Sequence, residues 1–388
     1  MKILLFANTD WYLYNFRRSL ASALREAGHQ LLLVSPPGPY GAKLQALGFR
    51  WQAAPMHRRS LNPWRELRLI QWLRGLMQTE QIDLVHCFTI KCVVYGALAA
   101  RLAGVPARVI AVAGMGYVFT SNDLKARILR PMVRSLMRTA IGGKNTLLVL
   151  QNPDDVRLFL QARLATPDQI RLIPGSGVNC SSFVPKPDHS ANASRSLRVL
   201  LPARLLWDKG VAEYVQAARQ LLAEHCTIDF LLAGDPDPGN PAAVPQATLD
   251  EWVAQGVVQW LGHVDDMPAL FNSVDVVVLP SYREGLPKGL IEAAAAGKAL
   301  VTTDVPGCRE VVDHEQNGLL VPARDSRALA QAIARLINEP ELRKRLGQAA
   351  RTKALQSFDE KIVIERTLVV YQELLGNPPA KAGSSEVE

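Results

Sequence analysis

Short apolar runs that alternate with helical segments constrain the fold of this 388-residue chain more than any other feature. The alternation begins at residues 3–7, breaks in a Pro- and Gly-containing stretch at 174–196, and resumes at 197–202. Strand–helix alternation predicts a doubly wound parallel sheet, and its resumption after a break predicts a second one. The length also exceeds what a single core usually supports. We therefore expect domains at residues 1–175 and 197–376, a linker at 176–196 and a disordered tail at 377–388.

Hydropathy and cysteine usage narrow the class of protein. No apolar run approaches the roughly 18–20 residues that a bilayer-spanning helix needs. The apolar N-terminus turns polar at Asn8, which indicates a first strand and not a signal peptide. The five cysteines are scattered and contain no Cys-x-x-Cys pair, a pattern typical of reduced cytoplasmic thiols and not of a zinc site. We therefore predict a cytoplasmic protein without a bound metal.

Charge is divided unevenly between the two halves of the chain. Residues 1–180 contain 23 Lys and Arg against 9 Asp and Glu, a net charge of +14, whereas the remainder has a net charge of −6. A basic half can face nucleic acid, an anionic membrane surface or a phosphorylated substrate. It lacks aromatic stacking platforms and any nucleic-acid-binding module, so no nucleic-acid partner is expected.

Two basic segments in the first half have helical spacing. In segment 64–77 we place Trp64, Leu67 and Ile70 on one side, together with Leu73 and Met77. In segment 124–138, Pro131 predicts either a kinked helix or a fresh helix start. Two interpretations stay open for these segments: core helices with solvated basic faces, or surfaces that meet anionic lipid head groups.

A strand, a polar loop and a helix start lie together at residues 275–292. The β-branched run at 275–279 predicts a buried strand, and Pro287 is placed as the first residue of a helix that ends at Gly297. Such a helix start directs backbone N–H groups and a positive dipole end towards an anion. Glu284 and Glu292 would repel a phosphate unless they hold sugar or ribose hydroxyls. A solvated helix position is an equally good interpretation of Glu292.

A second set of charged residues follows the first strand of the second half. Arg204 and Lys209 lie where that strand ends, and open α/β sheets bind ligands at this edge. Two cations there can neutralise a pyrophosphate and stabilise it as a leaving group. Such a pair alone is usually surface decoration, but its combination with Glu284 and Glu292 favours a ligand-binding site.

Taken in order, these motifs make the second half similar to the retaining glycosyltransferases of family 4. That family implies the GT-B fold, an α/β architecture of two doubly wound, Rossmann-like parallel-sheet domains that face a cleft, with the last helix a candidate to return to the first domain. The likeness rests on the loop 204–210, Gly234, Trp260-Leu261-Gly262-His263 and the Glu-x7-Glu motif of 284–292. First-half segments resemble the branch that extends undecaprenyl-diphosphate-linked sugars, which includes N-acetylgalactosaminyltransferases: Tyr14-Asn15-Phe16-Arg17, Arg58-Arg59-Ser60-Leu61-Asn62-Pro63, Lys91 and Gly114-Met115-Gly116-Tyr117.

The resemblance implies a role for each matching residue. Arg204 and Lys209 bind the diphosphate of a nucleotide sugar, Glu292 binds the ribose and Glu284 binds the donor sugar. Glu284, Arg204 and Lys209 form the implied catalytic set. The other implied donor contacts are Gly234, His263, Val264, Gly285, Leu286 and Pro287. The implied acceptor contacts are Asn15, Arg17, Arg58, Lys91, Gly114 and Gly116. No metal or other cofactor is implied, because cationic side chains and a helix dipole take its role.

The chain departs from the wider family in two places. It has Asn8-Thr9-Asp10-Trp11 where many members have a Gly-Gly pair. It has Ala113-Gly114-Met115-Gly116 where many have a His, so no catalytic His is carried over, and His86 is interpreted as structural or positional.

The resemblance implies a retaining transferase that moves an N-acetylhexosamine, such as N-acetylgalactosamine, from a UDP-sugar to a polyprenyl-diphosphate-linked saccharide. Its implied location is the cytoplasmic face of the inner membrane, bound peripherally to the anionic surface. One alternative is a sugar-nucleotide epimerase or hydrolase of the same fold. Another is a transferase that uses a different donor, such as GDP-mannose.

Overall fold

The computed structural model describes residues 1–58, 60, 62–112, 124–143, 145–185, 196–224, 228–237 and 239–376, with the backbone alone over 124–129. It divides into two compact units: unit 1 comprises Met1–Ser176 and the chain from Lys361 onward, and unit 2 comprises Gly177–Glu360. Unit 2 therefore differs at both ends from the predicted domain at 197–376. The last helix joins unit 1 because Val363, Val370 and Tyr371 are buried in an apolar cluster with the first strands.

Unit 1 is built on one parallel sheet. Its strands are β1 (Lys2–Phe6), β2 (Gln30–Ser35), β3 (Arg50–Ala53), β4 (Leu84–Phe88), β5 (Ala107–Val112), β6 (Thr146–Leu150) and β7 (Ile170–Leu172). They lie in the order β3-β2-β1-β4-β5-β6-β7. An apolar cluster covers each face of this sheet, which is why the central strands are continuously apolar. The order reverses between β1 and β4, and open α/β sheets bind ligands beyond the carboxyl ends at such a point.

The helices of unit 1 follow the predicted alternation. They are α1 (Asp10–Tyr12), α2 (Arg18–Glu26), α3 (Gly41–Ala46), α4 (Pro63–Thr79), α5 (Ile90–Ala103), α6 (Leu124–Ile141) and α7 (Pro153–Gln161). A π-helical turn, Leu13–Arg17, joins α1 to α2. Asn62 and Asn152 accept backbone N–H groups at the starts of α4 and α7, and a proline follows each of them, the expected chemistry of a helix start. Helix α6 continues through Pro131.

The predicted side of α4 was wrong for its first turn, although Ile70 packs against the core as expected. Leu69, Leu73 and Met77 are buried, whereas Trp64 is 73% exposed and Leu67 is 45% exposed. Successive residues of a helix advance by about 100°, so Trp64 lies about 140° around the helix from Leu69. The first turn of α4 therefore presents a tryptophan to solvent.

Unit 2 repeats the architecture with six strands. These are β8 (Leu197–Pro202), β9 (Ile228–Ala233), β10 (Gln259–Trp260), β11 (Val276–Leu279), β12 (Ala299–Thr303) and β13 (Leu319–Val321). The parallel order β10-β9-β8-β11-β12-β13 reverses between β8 and β11. The prediction of two doubly wound sheets is confirmed.

The helices of unit 2 separate its strands in the same way. They are α8 (Val211–Glu224), α9 (Gln246–Ala254), α10 (Met267–Asn272), α11 (Lys288–Ala295), α12 (Cys308–Val311), α13 (Ser326–Asn338) and α14 (Pro340–Ser357). Helix α15 (Glu360–Leu375) leads the chain back into unit 1. Within the described residues, no helix is both long enough and apolar enough to cross a membrane.

Candidate active site

Three loops converge at the carboxyl edge of the unit 2 sheet. Gly210, which precedes α8, has φ +72°, and a Cβ there would overlap the carbonyl of Pro280 at the end of β11. Gly234, which follows β9, has φ +133°, and a Cβ there would overlap the carbonyl of Ala203 after β8. Both positions need a conformation and a close approach that only glycine allows without strain. These two contacts fix the loops after β8, β9 and β11 against one another.

Lys209 and Glu284 meet at this edge. Lys209 ends a short 3-10 turn, Trp207–Lys209, and its Nζ forms an ion pair with Oε1 of Glu284. Their side chains are only 19% and 11% exposed. The hydroxyl of Ser281 donates to the same carboxylate oxygen at 2.7 Å. Because a largely buried ion pair forfeits much hydration, it persists only where its geometry is held well. The structure thus joins two predicted site residues that lie 75 positions apart.

The backbone around Glu284 is held by groups that the sequence analysis missed. The N–H of Glu284 donates to the Pro306 carbonyl at 3.1 Å. Gly307, with φ +83°, follows that proline, and a Cβ there would lie 2.7 Å from the Glu284 carbonyl oxygen. The Pro306-Gly307 pair is the sequence signal for this support, because such a pair is typical of a turn. The loop after β12 therefore supports the loop that carries Glu284.

Tyr282 provides a second brace. Its N–H donates to the Asp208 carbonyl at 2.9 Å, and its hydroxyl donates to Oε1 of Glu213 on α8 at 2.7 Å. Burial, followed by the Glu213 carboxylate, raises the pKa of Tyr282, so its hydroxyl stays a donor at neutral pH. The guanidinium of Arg324 lies over its ring at 4.5 Å. Tyr282 and Glu213 thus position Lys209 and Glu284, although neither carried a motif signal.

Glu292 is a largely buried residue of α11 and not a solvated helix position. Pro287 caps the helix, which begins at Lys288, one residue later than predicted. The Glu292 side chain is 14% exposed, and the ammonium of Lys288 lies 3.3 Å from its Oε1. Burial raises the pKa of Glu292, and Lys288 opposes that rise. A carboxylate in this setting carries a desolvation cost that hydrogen-bond donors of a ligand would offset.

We expect Glu292→Gln to stabilise the free protein most at alkaline pH. A carboxyl whose pKa is raised on folding binds its proton more tightly in the folded state than in the unfolded state. The free energy of unfolding therefore falls as the pH rises from the ordinary carboxyl pKa of 4.5 towards the raised pKa of the folded state. Glutamine removes this cost. For a unit of this size, a gain of about 1 kcal/mol in the free energy of unfolding raises Tm by about 2–4 °C. In thermal melts, the gain in Tm of Glu292→Gln over the wild type should be smaller at pH 5 than at pH 8.

The control for this prediction is Glu251→Gln, because Glu251 is exposed on α9. Its Tm difference from the wild type should not change between the two pH values. A Glu292→Gln variant that loses stability equally at both values would contradict the buried-charge explanation.

The other predicted donor residues lie around this centre. Arg204 is 51% exposed, and its guanidinium donates to Oδ2 of Asp237 at 2.9 Å, a partner that the sequence analysis missed. The N–H of Gly234 donates to the Gly262 carbonyl at 2.7 Å, which brings the segment 262–264 to the end of β9. His263 is half exposed, with Nε2 3.2 Å from Oδ1 of Asp265. Gly285, Leu286 and Val264 are partly buried in their loops.

The predicted acceptor residues have different surroundings in unit 1. The ammonium of Lys91 donates to the His57 carbonyl at 2.7 Å, the Ser60 carbonyl at 3.0 Å and Oε1 of Glu66 at 2.8 Å. An ammonium has three donors, so Lys91 holds the loop around the exposed Arg58 and has no donor left for a diphosphate. A diphosphate could bind Lys91 directly only by displacing one of these partners.

The remaining predicted acceptor residues divide into two groups. Asn15 donates to the Trp11 carbonyl at 3.0 Å, and Arg17 is buried, with 5% of its surface exposed. Gly114 and Gly116 lie outside the described residues. No cluster of three or more His, Cys, Asp or Glu that could hold a metal occurs in the described part of the chain.

Comparison with known proteins agrees with this architecture. Residues 2–148 match the family model "Glycosyl transferase 4-like", and residues 196–339 match "Glycosyl transferases group 1". A glycosyltransferase from Rickettsia africae superimposes with a TM-score of 0.79 at 20% identity, over 97% of this chain and 99% of that chain. Anabaena Alr3699/HepE in complex with UDP superimposes with a TM-score of 0.77 at 19% identity, over 96% of this chain and 100% of that one.

Two curated relatives extend across most of the chain. The N,N'-diacetylbacillosaminyl-diphospho-undecaprenol alpha-1,3-N-acetylgalactosaminyltransferase of Campylobacter jejuni is 29% identical over 97% of this chain and its own full length. The UDP-Gal:alpha-D-GlcNAc-diphosphoundecaprenol alpha-1,3-galactosyltransferase of Escherichia coli is 24% identical over 82% of both chains.

The two sheets, the converging loops and the matched models define the class of the protein. It is a glycosyltransferase with the GT-B fold. It belongs to the group 1, type 4-like glycosyltransferases.

Proposed function

We propose that this chain is a retaining transferase for an N-acetylhexosamine, with a UDP-sugar as donor and a polyprenyl-diphosphate-linked saccharide as acceptor, in assembly of cell-surface polysaccharide. The observation that carries this proposal is the buried Lys209–Glu284 pair at the carboxyl edge of the unit 2 sheet. The names of the Campylobacter jejuni and Escherichia coli relatives both include a diphosphoundecaprenol-linked saccharide, which supports this class of acceptor. The UDP bound to Alr3699/HepE supports a uridine nucleotide.

The proposed roles of the donor-site residues follow from their charges and their positions at the sheet edge. Lys209 and Arg204 neutralise the diphosphate, Glu292 accepts hydrogen bonds from ribose hydroxyls, and Glu284 accepts them from the sugar. The bond between the anomeric carbon and the phosphate oxygen breaks, and a bond to the acceptor oxygen forms on the same face. The acceptor proton passes to the departing phosphate oxygen. Cations fixed beside developing phosphate charge favour this step, so we propose that no metal is required.

The experiment that tests this function is a transfer assay with a diphosphate-linked lipid acceptor and a panel of donors. The panel is UDP-N-acetylgalactosamine, UDP-N-acetylglucosamine, UDP-galactose, UDP-glucose and GDP-mannose. We expect a product only with acceptor present, from a UDP-N-acetylhexosamine, with the donor's anomeric configuration retained in the NMR spectrum. Release of free sugar or an epimerised nucleotide sugar without acceptor would instead identify the hydrolase or epimerase alternative.

We also propose that unit 1 binds the anionic cytoplasmic surface of the inner membrane. Trp64 and Leu67 are exposed on α4, with the exposed Arg65 and Arg68 on the same helix. On α6, Met132 is 53% exposed and lies among the arginines of that helix. Exposed apolar side chains flanked by arginine are typical of interfacial helices.

Reversing the charge of Arg130 and Arg134 together should weaken binding to anionic vesicles by about 10- to 100-fold, since each basic residue near such a surface contributes about 1 kcal/mol. Flotation with vesicles of graded phosphatidylserine content measures this loss. The control is reversal of Arg219 and Arg327, which are exposed in unit 2 and should leave flotation unchanged. Equal flotation of both double variants would exclude α6 from the membrane surface.

A further inference from the structure

A buried guanidinium in unit 1 is not balanced by a carboxylate. Arg17 ends the π-helical turn that joins α1 to α2 and is 5% exposed. Its side chain lies 4.2 Å from the centre of the Phe88 ring and donates to the Tyr12 hydroxyl at 2.9 Å. Its Nε has no hydrogen-bond partner, and no acidic side chain pairs with it, among the residues that the structure describes. Arginine stays protonated in proteins, so a full positive charge is buried here.

The neighbouring histidine does not balance this charge. Nδ1 of His86 lies 2.7 Å from the Tyr371 hydroxyl of α15. Burial, followed by the charge of Arg17, lowers the pKa of His86 well below its ordinary value, so the ring is neutral. Its Nε2 also has no partner within the described ranges. Among the described residues, Arg17 and His86 therefore each keep one buried nitrogen without a hydrogen-bond partner.

Both groups lie near the reversal point of the first sheet. Phe88, which contacts Arg17 and His86, is the last residue of β4, the strand beside β1 where the order changes. The next residue, Thr89, has φ +73°, which is strained for a β-branched side chain. Thr89 is the N-cap of α5, a helix of 14 residues that starts just beyond the carboxyl end of β4. Such strain is retained at binding sites more often than elsewhere.

These observations point to an anion as the missing partner. An unpaired buried charge destabilises the fold unless a counter-charge reaches it. Arginine matches the planar, two-oxygen geometry of a phosphate better than lysine does, and a helix start supplies further donors. Lys91, by contrast, already uses its three donors within unit 1.

We propose that Arg17 forms a binding site for a phosphate oxyanion beyond β1 and β4, with His86 and Tyr371 as positioning residues behind it. This proposal rests on the proposed function in one respect, because the phosphate is assigned to the diphosphate of the lipid-linked acceptor. The same chemistry is present in the diphosphate of the nucleotide sugar, so the experiment must distinguish these two sources.

The test compares Arg17→Met, which keeps an unbranched apolar stem and removes the charge, with Arg18→Met. Arg18 is the adjacent arginine, exposed over the Tyr14 ring. Inorganic pyrophosphate is titrated in thermal-shift assays of both variants in the Lys209→Met background, where the donor diphosphate site is disabled. We expect the pyrophosphate-induced rise in Tm to persist with Arg18→Met and to be lost with Arg17→Met. Without ligand, Arg17→Met should melt no lower than its parent, because it removes an unpaired buried charge.

The kinetic arm uses the otherwise native chain. Arg17→Met should raise KM for the diphosphate-linked acceptor about 10- to 100-fold and leave the Tm shift caused by UDP unchanged. Loss of the UDP shift would assign the phosphate to the nucleotide and overturn the acceptor assignment. A lower Tm together with an unchanged pyrophosphate shift would show that Arg17 is a structural residue of the core. If Arg17→Met does not fold, the acceptor KM is measured with Arg17→Lys instead. An acceptor KM that is unchanged in Arg17→Lys would overturn the proposal.

The two proposals can fail separately. A chain that transfers no sugar to any lipid-linked acceptor but loses its pyrophosphate shift with Arg17→Met would disprove the proposed function and leave the anion site standing. If the protein transfers sugar and Arg17→Met leaves its acceptor KM unchanged, the proposed function stands and the anion site is disproved.

Discussion

Lys209→Met is expected to lower kcat/KM for sugar transfer by about 10²- to 10³-fold, the range that follows removal of one fixed charge-stabilising donor at a reacting centre. The ammonium is held by Glu284 in a position that is 19% exposed. In the proposed donor site, its charge would therefore act on the leaving diphosphate in a medium that screens it less than water does. Steady-state assays at varied donor concentration measure the effect, and the melting curve of the variant checks its folding.

Lys353→Met is the matched control for this prediction. Lys353, on α14, also pairs with a carboxylate of unit 2, Asp313 at 2.9 Å, but that carboxylate is 47% exposed. Its removal should change kcat/KM less than about twofold, because surface ion pairs contribute little. Similar losses in the two lysine variants would mean that Lys209 acts through stability and not through the donor.

Glu284→Gln is expected to reduce kcat/KM by about the same factor as Lys209→Met, and the double variant should lose little more than either single one. Glutamine keeps the shape of the side chain and one oxygen for Ser281, but it removes the charge that orients Lys209. Residues that act as one unit show this non-additivity. A double-mutant cycle on kcat/KM measures the coupling.

Glu315→Gln provides the control for the second prediction. Glu315 pairs with Arg335 at 2.5 Å, and both side chains are about half exposed, so the same substitution there should leave transfer almost unchanged. Fully additive losses at Lys209 and Glu284 would separate the two residues and remove the basis for treating their ion pair as the centre of the site.

Much of the candidate site could be located from the sequence because its pattern is local. Glu284 and Glu292 lie within one strand–loop–helix segment, and Lys209 follows a strand end that chain order alone identifies. Their identities and their shared edge needed only periodicity, turn chemistry and the rule that parallel strands present their carboxyl ends together. The hydrogen bond from Tyr282 to Glu213, the ion pair between Arg204 and Asp237, and the support from Pro306 could not be predicted in this way. Each joins residues that are distant in sequence.

Orientation and burial were the other failures of prediction. The same helical spacing that predicts α4 does not say which stripe faces the core, and Trp64 was assigned to the wrong side. Lys91 was predicted as an acceptor contact because the sequence shows its charge. The sequence does not show the three acceptors that surround its ammonium in the fold. Chain order alone placed the last helix in the second domain, whereas the family resemblance made it a candidate to return to the first, and its apolar face packs there.

The sequence by itself determined the alternation of strands and helices, the two doubly wound sheets and the charged motifs at one sheet edge. These follow from short-range sterics and hydrophobic periodicity, which act within a few residues. Only the tertiary structure decided which charges are paired, buried or left without a partner: Lys209 with Glu284, Lys91 with Glu66, and Arg17 with no carboxylate among the described residues. The physical reason is that desolvation and ion pairing depend on all the groups that folding brings near a side chain, whatever their distance along the chain.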